Sequence, residues 1–463
     1  MMKRILAIAL SALLSFSVLS SAKAVDIAEG VSGPWGANLS TNGKVLVATW
    51  DVWANDSREI YAAFNFNGRN SGWSEGVLIE NAETIHSTVL ANGKIVLFYE
   101  DNGSQKFIVT TNGEDFSTPV TLPNSSDVSS GWNTAITSVK NRVVIIGASA
   151  AEVGGMLYSW TSNADLSSWS RKEIGELYPS NVFSECPTSD ENCSYRVSGV
   201  AIVANPSGNQ SVLYMVSVLD DRGEVASEKY AAFASQRKSL TANWNSPQNI
   251  DSYGPLYING YHYWPDDFLI TPKGKTVIAF GKSFSIDGNM ASAIEVVKVF
   301  QSTGAGKQFI SKDASVLSQG FGNISPNIVN VGEKVYLAYS KEFDDSYLGS
   351  EIYFGEVGKM NKAKKPGSLA GYDLADMTVV KGKPTIIAVN ESNTPTIGYK
   401  ATFNGKKFGT PTAFMSPSGN KSLMRWGVIC SNLKSSAVCS SGIRVSDDEQ
   451  DWSTMGIEVN FIK

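Results

Sequence analysis

A small polar corner recurs eight times along the chain, each time just ahead of an apolar run. It stands as Asn42-Gly43-Lys44, Asn92-Gly93-Lys94, Lys140-Asn141-Arg142 and Ser207-Gly208-Asn209. It continues as Lys273-Gly274-Lys275, Gly332-Glu333-Lys334, Lys381-Gly382-Lys383 and Asn432-Leu433-Lys434. Successive corners lie about 48 to 67 residues apart, the spacing of repeats that are each one small sheet or somewhat more. The runs that follow are VLVATW, IVLFYE, VVIIGA, SVLYMVSV, TVIAFG, VYLAYS, PTIIAV and SSAVC. Apolar stretches of this length fit strands covered on both faces by neighbouring sheets.

The clearest copy runs from Ser87 to Leu122. Ser87–Leu90 leads into Asn92-Gly93, Ile95–Tyr99 follows, Phe107–Thr110 resumes after Glu100–Gly103, and Asn112-Gly113 turns again before Phe116–Leu122. Asn-Gly between β-branched runs is a strong hairpin signal, because both residues tolerate positive φ. Such a four-stranded meander does not bury both of its faces alone, so its copies must stack on one another. The fold expected is therefore all-β, a β-propeller of four-stranded antiparallel blades over 25–463. Eight corners give eight blades, with seven blades and one divergent insertion as the alternative. Residues 176–194, 251–260 and 359–370 read as longer inserted loops. Val25–Glu29 is placed to pair with the last blade and close the ring. No helix of core length is evident after residue 24.

A second landmark comes late in most units, where a polar turn precedes an aromatic. It appears as Asn67-Gly68 with Trp73, Thr110-Thr111-Asn112-Gly113 with Phe116, and Thr161-Ser162-Asn163 with Trp169. Later copies are Thr402-Phe403-Asn404-Gly405 with Phe408 and Ser446-Asp447-Asp448 with Trp452, with looser ones ending at Trp244 and Phe309. The side-chain oxygen takes backbone N–H groups in the turn, and the aromatic fills space between blades. These turns resemble the Asp-box (BNR-repeat) β-propellers of the sialidase superfamily, whose turn has the form Ser/Thr-x-Asp-x-Gly-x-x-Trp. The resemblance covers essentially all of 25–463, with Asn often replacing Asp and Phe replacing Trp. It implies structural turns on one face and ligand contacts on the other. The Phe/Tyr-Arg-Ile-Pro motif and Arg triad of true sialidases have no counterpart here.

Lys3-Arg4, the apolar stretch Ile5–Leu19 and Ala22-Lys23-Ala24 form a secretory signal pattern over 1–24, with cleavage expected after Ala24. The protein is thus expected to be exported, periplasmic or extracellular, with no membrane span. In such a compartment Cys186/Cys193 and Cys430/Cys439 read as two local disulfides. The net charge of -5 disfavours nucleic acid as a partner.

Residues at the entrances to the first strands would gather at the mouth of the channel. They are Trp35, His86, Trp132, Arg196, His262, Trp264, Arg425 and Trp426. Indole faces and N–H donors there suit sugar stacking, and the alternative is that the tryptophans fill space between blades. Glycoside hydrolysis would need two flanking carboxylates, and Asp266 or Asp267 with Asp51 or Asp373 from another blade are the candidates. With only His86 and His262 in the chain, multi-His metal chemistry is excluded. Asp344-Asp345 with Glu351 is the one candidate for Ca²⁺, and no other cofactor is expected. The expected function is binding of a glycan or other cell-surface ligand at the mouth. A glycoside hydrolase of sialidase-like fold and a protein-interaction scaffold are the alternatives.

Overall fold

The computed structural model describes residues 25–31, 37–54, 57–128, 133–149, 155–179, 193–220, 227–257, 263–284, 294–319, 326–342, 350–363, 365–390, 395–416, 422–423, 428–433, 435–444 and 455–463. The strands form eight separate antiparallel sheets, the blades of an eight-bladed β-propeller. In each blade the innermost strand comes first in sequence and the meander runs outward. Inner strands are Asn38–Thr41, Thr84–Val89, Thr134–Val139, Cys193–Ala204, Tyr263–Ile270, Asn327–Val331, Asp373–Val380 and, in the last blade, Ile429–Asn432.

The recurring corners are the hairpin turns between first and second strands in every blade. Gly43, Gly93, Gly208 and Gly274 take φ of 91, 89, 93 and 82° there, a region open to glycine at little cost. Lys140 and Lys381 occupy the left-handed region at their corners, with φ of 56 and 51°. The apolar runs that follow are the second strands, and in Ile95–Asp101 every residue but the last is buried. Sandwiched second strands explain why these segments show no polar alternation.

Each seam between adjacent blades encloses its own apolar cluster. Val47, Phe64, Ile95 and Leu97 fill the seam between blades 1 and 2. Val144, Ile146, Tyr214 and Phe233 fill that between blades 3 and 4. Fully burying one such side chain is worth roughly 1.5–3 kcal/mol, so the seams carry much of the cohesion of the ring. The described aromatics that follow the late turns plug these seams, and Ser446-Asp447-Asp448 with Trp452 lie outside the described residues. Trp73 packs between blades 8 and 1, Phe116 between 1 and 2, and Trp169 between 2 and 3. Trp244, Phe309 and Phe408 do the same further round. The turns themselves are held by side-chain acceptors. Thr110 Oγ1 accepts the Gly113 N–H at 2.8 Å, and Asn404 Oδ1 accepts those of Lys406 and Lys407 at 3.0 Å.

The ring is closed by the N-terminal strand. Val25–Val31 pairs antiparallel with Met455–Ile462 and becomes the outermost strand of blade 8, whose other strands come from the C-terminal end. Ile27 is buried there, in the cluster joining blades 8 and 1. Blade 8 is also pinned by the Cys430–Cys439 disulfide between its first and second strands, across the Asn432-Leu433 corner. Cys186 lies outside the described residues, as does the side chain of Cys193.

One expectation about loops changes, and one about the number of strands, whereas 359–370 is a loop with two 3-10 turns as expected. Gln248–Tyr257 is the outer strand of blade 4, so residues 251–257 are not an inserted loop. The register slips at Gly254 and Pro255, between Glu228 and Tyr230, and an edge strand with a bulge accommodates both. In blade 6 the three strands Asn327–Val331, Lys334–Glu342 and Ser350–Glu356 have no fourth partner among the described residues. Two 3-10 turns, Met360–Lys362 and Gly367–Leu369, lie where it would run, and Met360 and Leu369 are buried. Residues 176–179 are described, whereas 180–192 lie outside the described residues.

Candidate functional site in the central channel

Inner strands are the free edges of their sheets, so their backbone groups must find partners off the ladder. Side chains from neighbouring blades supply several. Ser40 Oγ donates to the Ser87 carbonyl at 2.8 Å, Ser138 Oγ to that of Val89 at 3.1 Å, and Ser431 Oγ to that of Leu39 at 3.0 Å.

Two aspartates perform the same task with charge. Asp267 Oδ2 accepts the Ile328 N–H of blade 6 at 2.7 Å, and its Oδ1 accepts the N–H of Phe268 at 2.7 Å. Asp376 repeats the pattern from blade 7. Its Oδ2 accepts the Cys430 N–H of blade 8 at 2.6 Å, and its Oδ1 accepts the Met377 N–H at 2.6 Å. Each follows a β-bulge in its inner strand, at Pro265/Asp267 and at Leu374/Asp376. A bulge re-aims the next side chain.

Both aspartates line one channel cavity of about 410 Å³, with Asn327, Asn330, Val428 and Asn432. Burial raises the Asp267 carboxyl to about 6, although its two N–H bonds pull the other way. Asp376 is raised to about 8, by burial first and then by the negative charge of Asp267. Both residues keep some accessible surface where they border the channel, but the depth of their carboxyls within the ring decides the direction of both shifts. Like charges that interact this way titrate as a pair. Near neutral pH the pair holds about one proton, and so offers both an acidic donor and a carboxylate acceptor.

A second cavity of about 440 Å³ is bounded by the inner strands of blades 1 to 4 and by Ile429. His86 and Asp51 line it together with Trp50 and Arg58. Burial lowers His86 to about 4, so its imidazole is neutral across the physiological range. The ring lies over Phe98, with centroids 6.4 Å apart. Asp51 lies within the second strand Leu46–Ala54, where Arg58 Nε donates to its Oδ2 at 2.9 Å. Arg58 Nη1 also donates to the Glu83 carbonyl at 3.1 Å, which ties blade 1 to blade 2.

Of the other site candidates, Asp373 is a buried residue at the start of the inner strand of blade 7. Arg196 is exposed on the inner strand of blade 4. Asp266 sits on the bulge and Trp264 beside it, and the side chains of both lie outside the described residues. Trp35, Trp132, His262, Arg425, Trp426, Asp344 and Asp345 lie outside the described residues. Glu351 is engaged by Lys365 Nζ and by the Tyr353 hydroxyl, which donates at 3.0 Å. Among the described residues no cluster of three or more metal-ligating side chains occurs.

The residue that sequence reasoning missed is Asp376. Its signal was an acid in mid-strand followed by a bulky apolar residue, Asp376-Met377, matching Asp267-Phe268 two blades earlier. Asp373 drew notice instead because it stands at the strand entrance.

No protein-family model and no curated protein sequence matches the chain. Among solved structures the chain is similar to the polysaccharide lyase Uly1, at 9% identity over 92% of this chain and 89% of that one, with a TM-score of 0.49. It is similar to the NanB sialidase from Streptococcus pneumoniae, at 8% identity over 95% and 94%, with a TM-score of 0.39. It is also similar to the GH93 α-L-arabinofuranosidase of Fusarium graminearum, at 9% identity over 83% and 95%, with a TM-score of 0.38. No helix among the described residues is long and apolar enough to cross a membrane.

Proposed function

We propose that the protein is an exported β-propeller that binds a glycan through the channel mouth, where the inner strands begin. The carrying observation is the Asp267–Asp376 pair in a channel cavity of about 410 Å³. A carboxyl that donates and a carboxylate that accepts match the mixed donor and acceptor character of sugar hydroxyls. In this reading Trp35, Trp132, Trp264 and Trp426 stack on sugar faces at the mouth, and Arg196, His262 and Arg425 flank them. Export rests on the signal pattern of residues 1–24 and on the Cys430–Cys439 bond.

The same pair favours a second reading, glycoside hydrolysis, because raised carboxyl pKa values suit a general acid. Binding is preferred because every oxygen of the pair already accepts a backbone N–H. Their first task is to hold blades together.

A glycan array probed with the wild-type protein and a Trp132→Ala/Trp264→Ala double variant tests the binding reading. Selective binding that drops at least about tenfold in the variant is expected. Binding that is absent, or unchanged in the variant, removes the mouth from the function. Assay of the bound glycans for new reducing ends decides the second reading. Cleavage by the wild type to products with no new double bond, lost in Asp376→Asn, would establish a hydrolase.

A further inference from the structure

Among the described residues blade 6 has no fourth strand, and a groove with a volume of about 770 Å³ lies between blades 6 and 7. Its walls come from the second and third strands of blade 6, from the two 3-10 turns, and from the late turn of blade 7 around Gly405. In an antiparallel meander these turns lie on the face of the first corners, so the groove opens on the opposite side of the wheel from the channel mouth.

The groove is strongly cationic. Among the described residues six lysines line it, at positions 334, 359, 362, 365, 406 and 407, against the single carboxylate of Glu356. The chain as a whole carries a net charge of -5, so this is a local reversal of sign. Two of the lysines are already paired, Lys359 with Glu356 at 2.9 Å and Lys365 with Glu351. Lys334, Lys362, Lys406 and Lys407 are exposed and make no ion pair among the described residues. Concentrating like charge costs self-repulsion, which an anionic ligand relieves.

Beneath the lysines lies an aromatic floor. Tyr336 and Phe354 stack with centroids 5.5 Å apart, and Phe403 packs against both. Tyr336 and Phe403 remain partly exposed in the groove. Flat apolar faces beside ammonium groups match the C–H face and the acidic substituents of a charged sugar. Among the described residues the groove holds no arginine, and so none of the planar forks that grip one carboxylate or phosphate in a fixed geometry. Lysines on flexible stems suit charges spaced along a polymer.

We propose that this groove binds a segment of an anionic polysaccharide bearing carboxylate or sulfate groups. The site is independent of the channel, and the two readings fail separately, because Trp132→Ala/Trp264→Ala tests the channel mouth and the lysine variants test the groove.

The full-length protein is titrated with polygalacturonate, dextran sulfate and neutral dextran, and with poly-glutamate and single-stranded DNA as other polyanions. Expected is binding to one or both acidic polysaccharides, falling as salt rises, with none to neutral dextran. Lys362→Glu/Lys406→Glu/Lys407→Glu should weaken it by about tenfold or more and flatten its salt dependence. Lys362→Gln/Lys406→Gln/Lys407→Gln should give an intermediate loss, and it serves as the test if charge reversal perturbs folding. The proposal is overturned if neither acidic polysaccharide binds, or if both triple variants bind as the wild type does. It is also overturned if poly-glutamate or DNA binds as tightly as the polysaccharides, which would make the groove a general polyanion surface.

Discussion

At the scale of single residues, Asp376 carries the sharpest consequence. Its folded pKa of about 8 lies above the ordinary 3.8, so the native state holds a proton that the unfolded chain releases. The stabilisation that follows is full below about pH 4 and is lost as pH rises through about 8. Asp267 adds the same sign over a narrower window, up to about 6. His86 has the opposite sign. Lowered from 6.5 to about 4, it favours the folded state above 6.5 and loses that contribution as pH falls toward 4. The opposing terms overlap below 6.5, which leaves the Asp376 term exposed above it. Asp376→Asn presents an amide NH₂ to a backbone N–H and so loses one acceptor, at a cost of about 1–3 kcal/mol. Thermal unfolding followed from pH 5 to 9 should show this variant well below wild type at pH 5 and closing on it by pH 9. A constant gap would mean that Asp376 does not bind its proton in the folded state. Little of this was legible in the sequence, because nothing in the string shows that Asp267 and Asp376 share a cavity two blades apart. Only folding into a ring brings mid-strand acids to a common axis.

The elements were far more legible, for a local reason. The corners need positive φ, and the residues that supply it are punctuation visible in the string. Second strands were equally plain, since burial on both faces leaves unbroken apolar runs. Outer strands were not, because they face solvent and keep weaker patterns; Val120–Thr121 and Val77–Leu78 are only two residues long. Gln248–Tyr257 was hidden by its Gly-Pro step, whereas the lysine-rich stretch 359–370 read as a loop and is one. Blade 8 has short inner segments, Ser422–Leu423 and Ile429–Asn432, both paired with Ala437–Arg444, and its disulfide compensates. Cys430 and Cys439 are nine residues apart, and closing so small a loop is worth about 2–3 kcal/mol in the chain-entropy account. Cys430→Ser/Cys439→Ser should lower the unfolding free energy in denaturant by about that much. The same loss should appear when the wild type is unfolded with a reductant present. No change in either experiment would mean that the ladder alone secures the strand pair.

Across the whole molecule, eight seams share the load, but one of them is made differently. Seven join blades that are consecutive in the chain, and the eighth joins blade 8 to blade 1 through a cluster that includes Ile27 and Phe461. Ile27→Ala removes buried methyl groups at that junction and should cost about 2–5 kcal/mol. Amide exchange would show the loss concentrated in Val25–Val31 and Met455–Ile462. Slowed exchange there, or loss spread evenly round the ring, would mean that closure is not the weak seam.

That closure also sets a timetable. A chain made from its N-terminus forms seven junctions as it lengthens, each from material already to hand. The strand that emerges first must wait for the one that emerges last, and until they meet the arc exposes an apolar flank at either end. Those flanks are adhesive surfaces during assembly. The interval between the first strand and its partner is therefore when this protein is most prone to join a neighbour instead of itself.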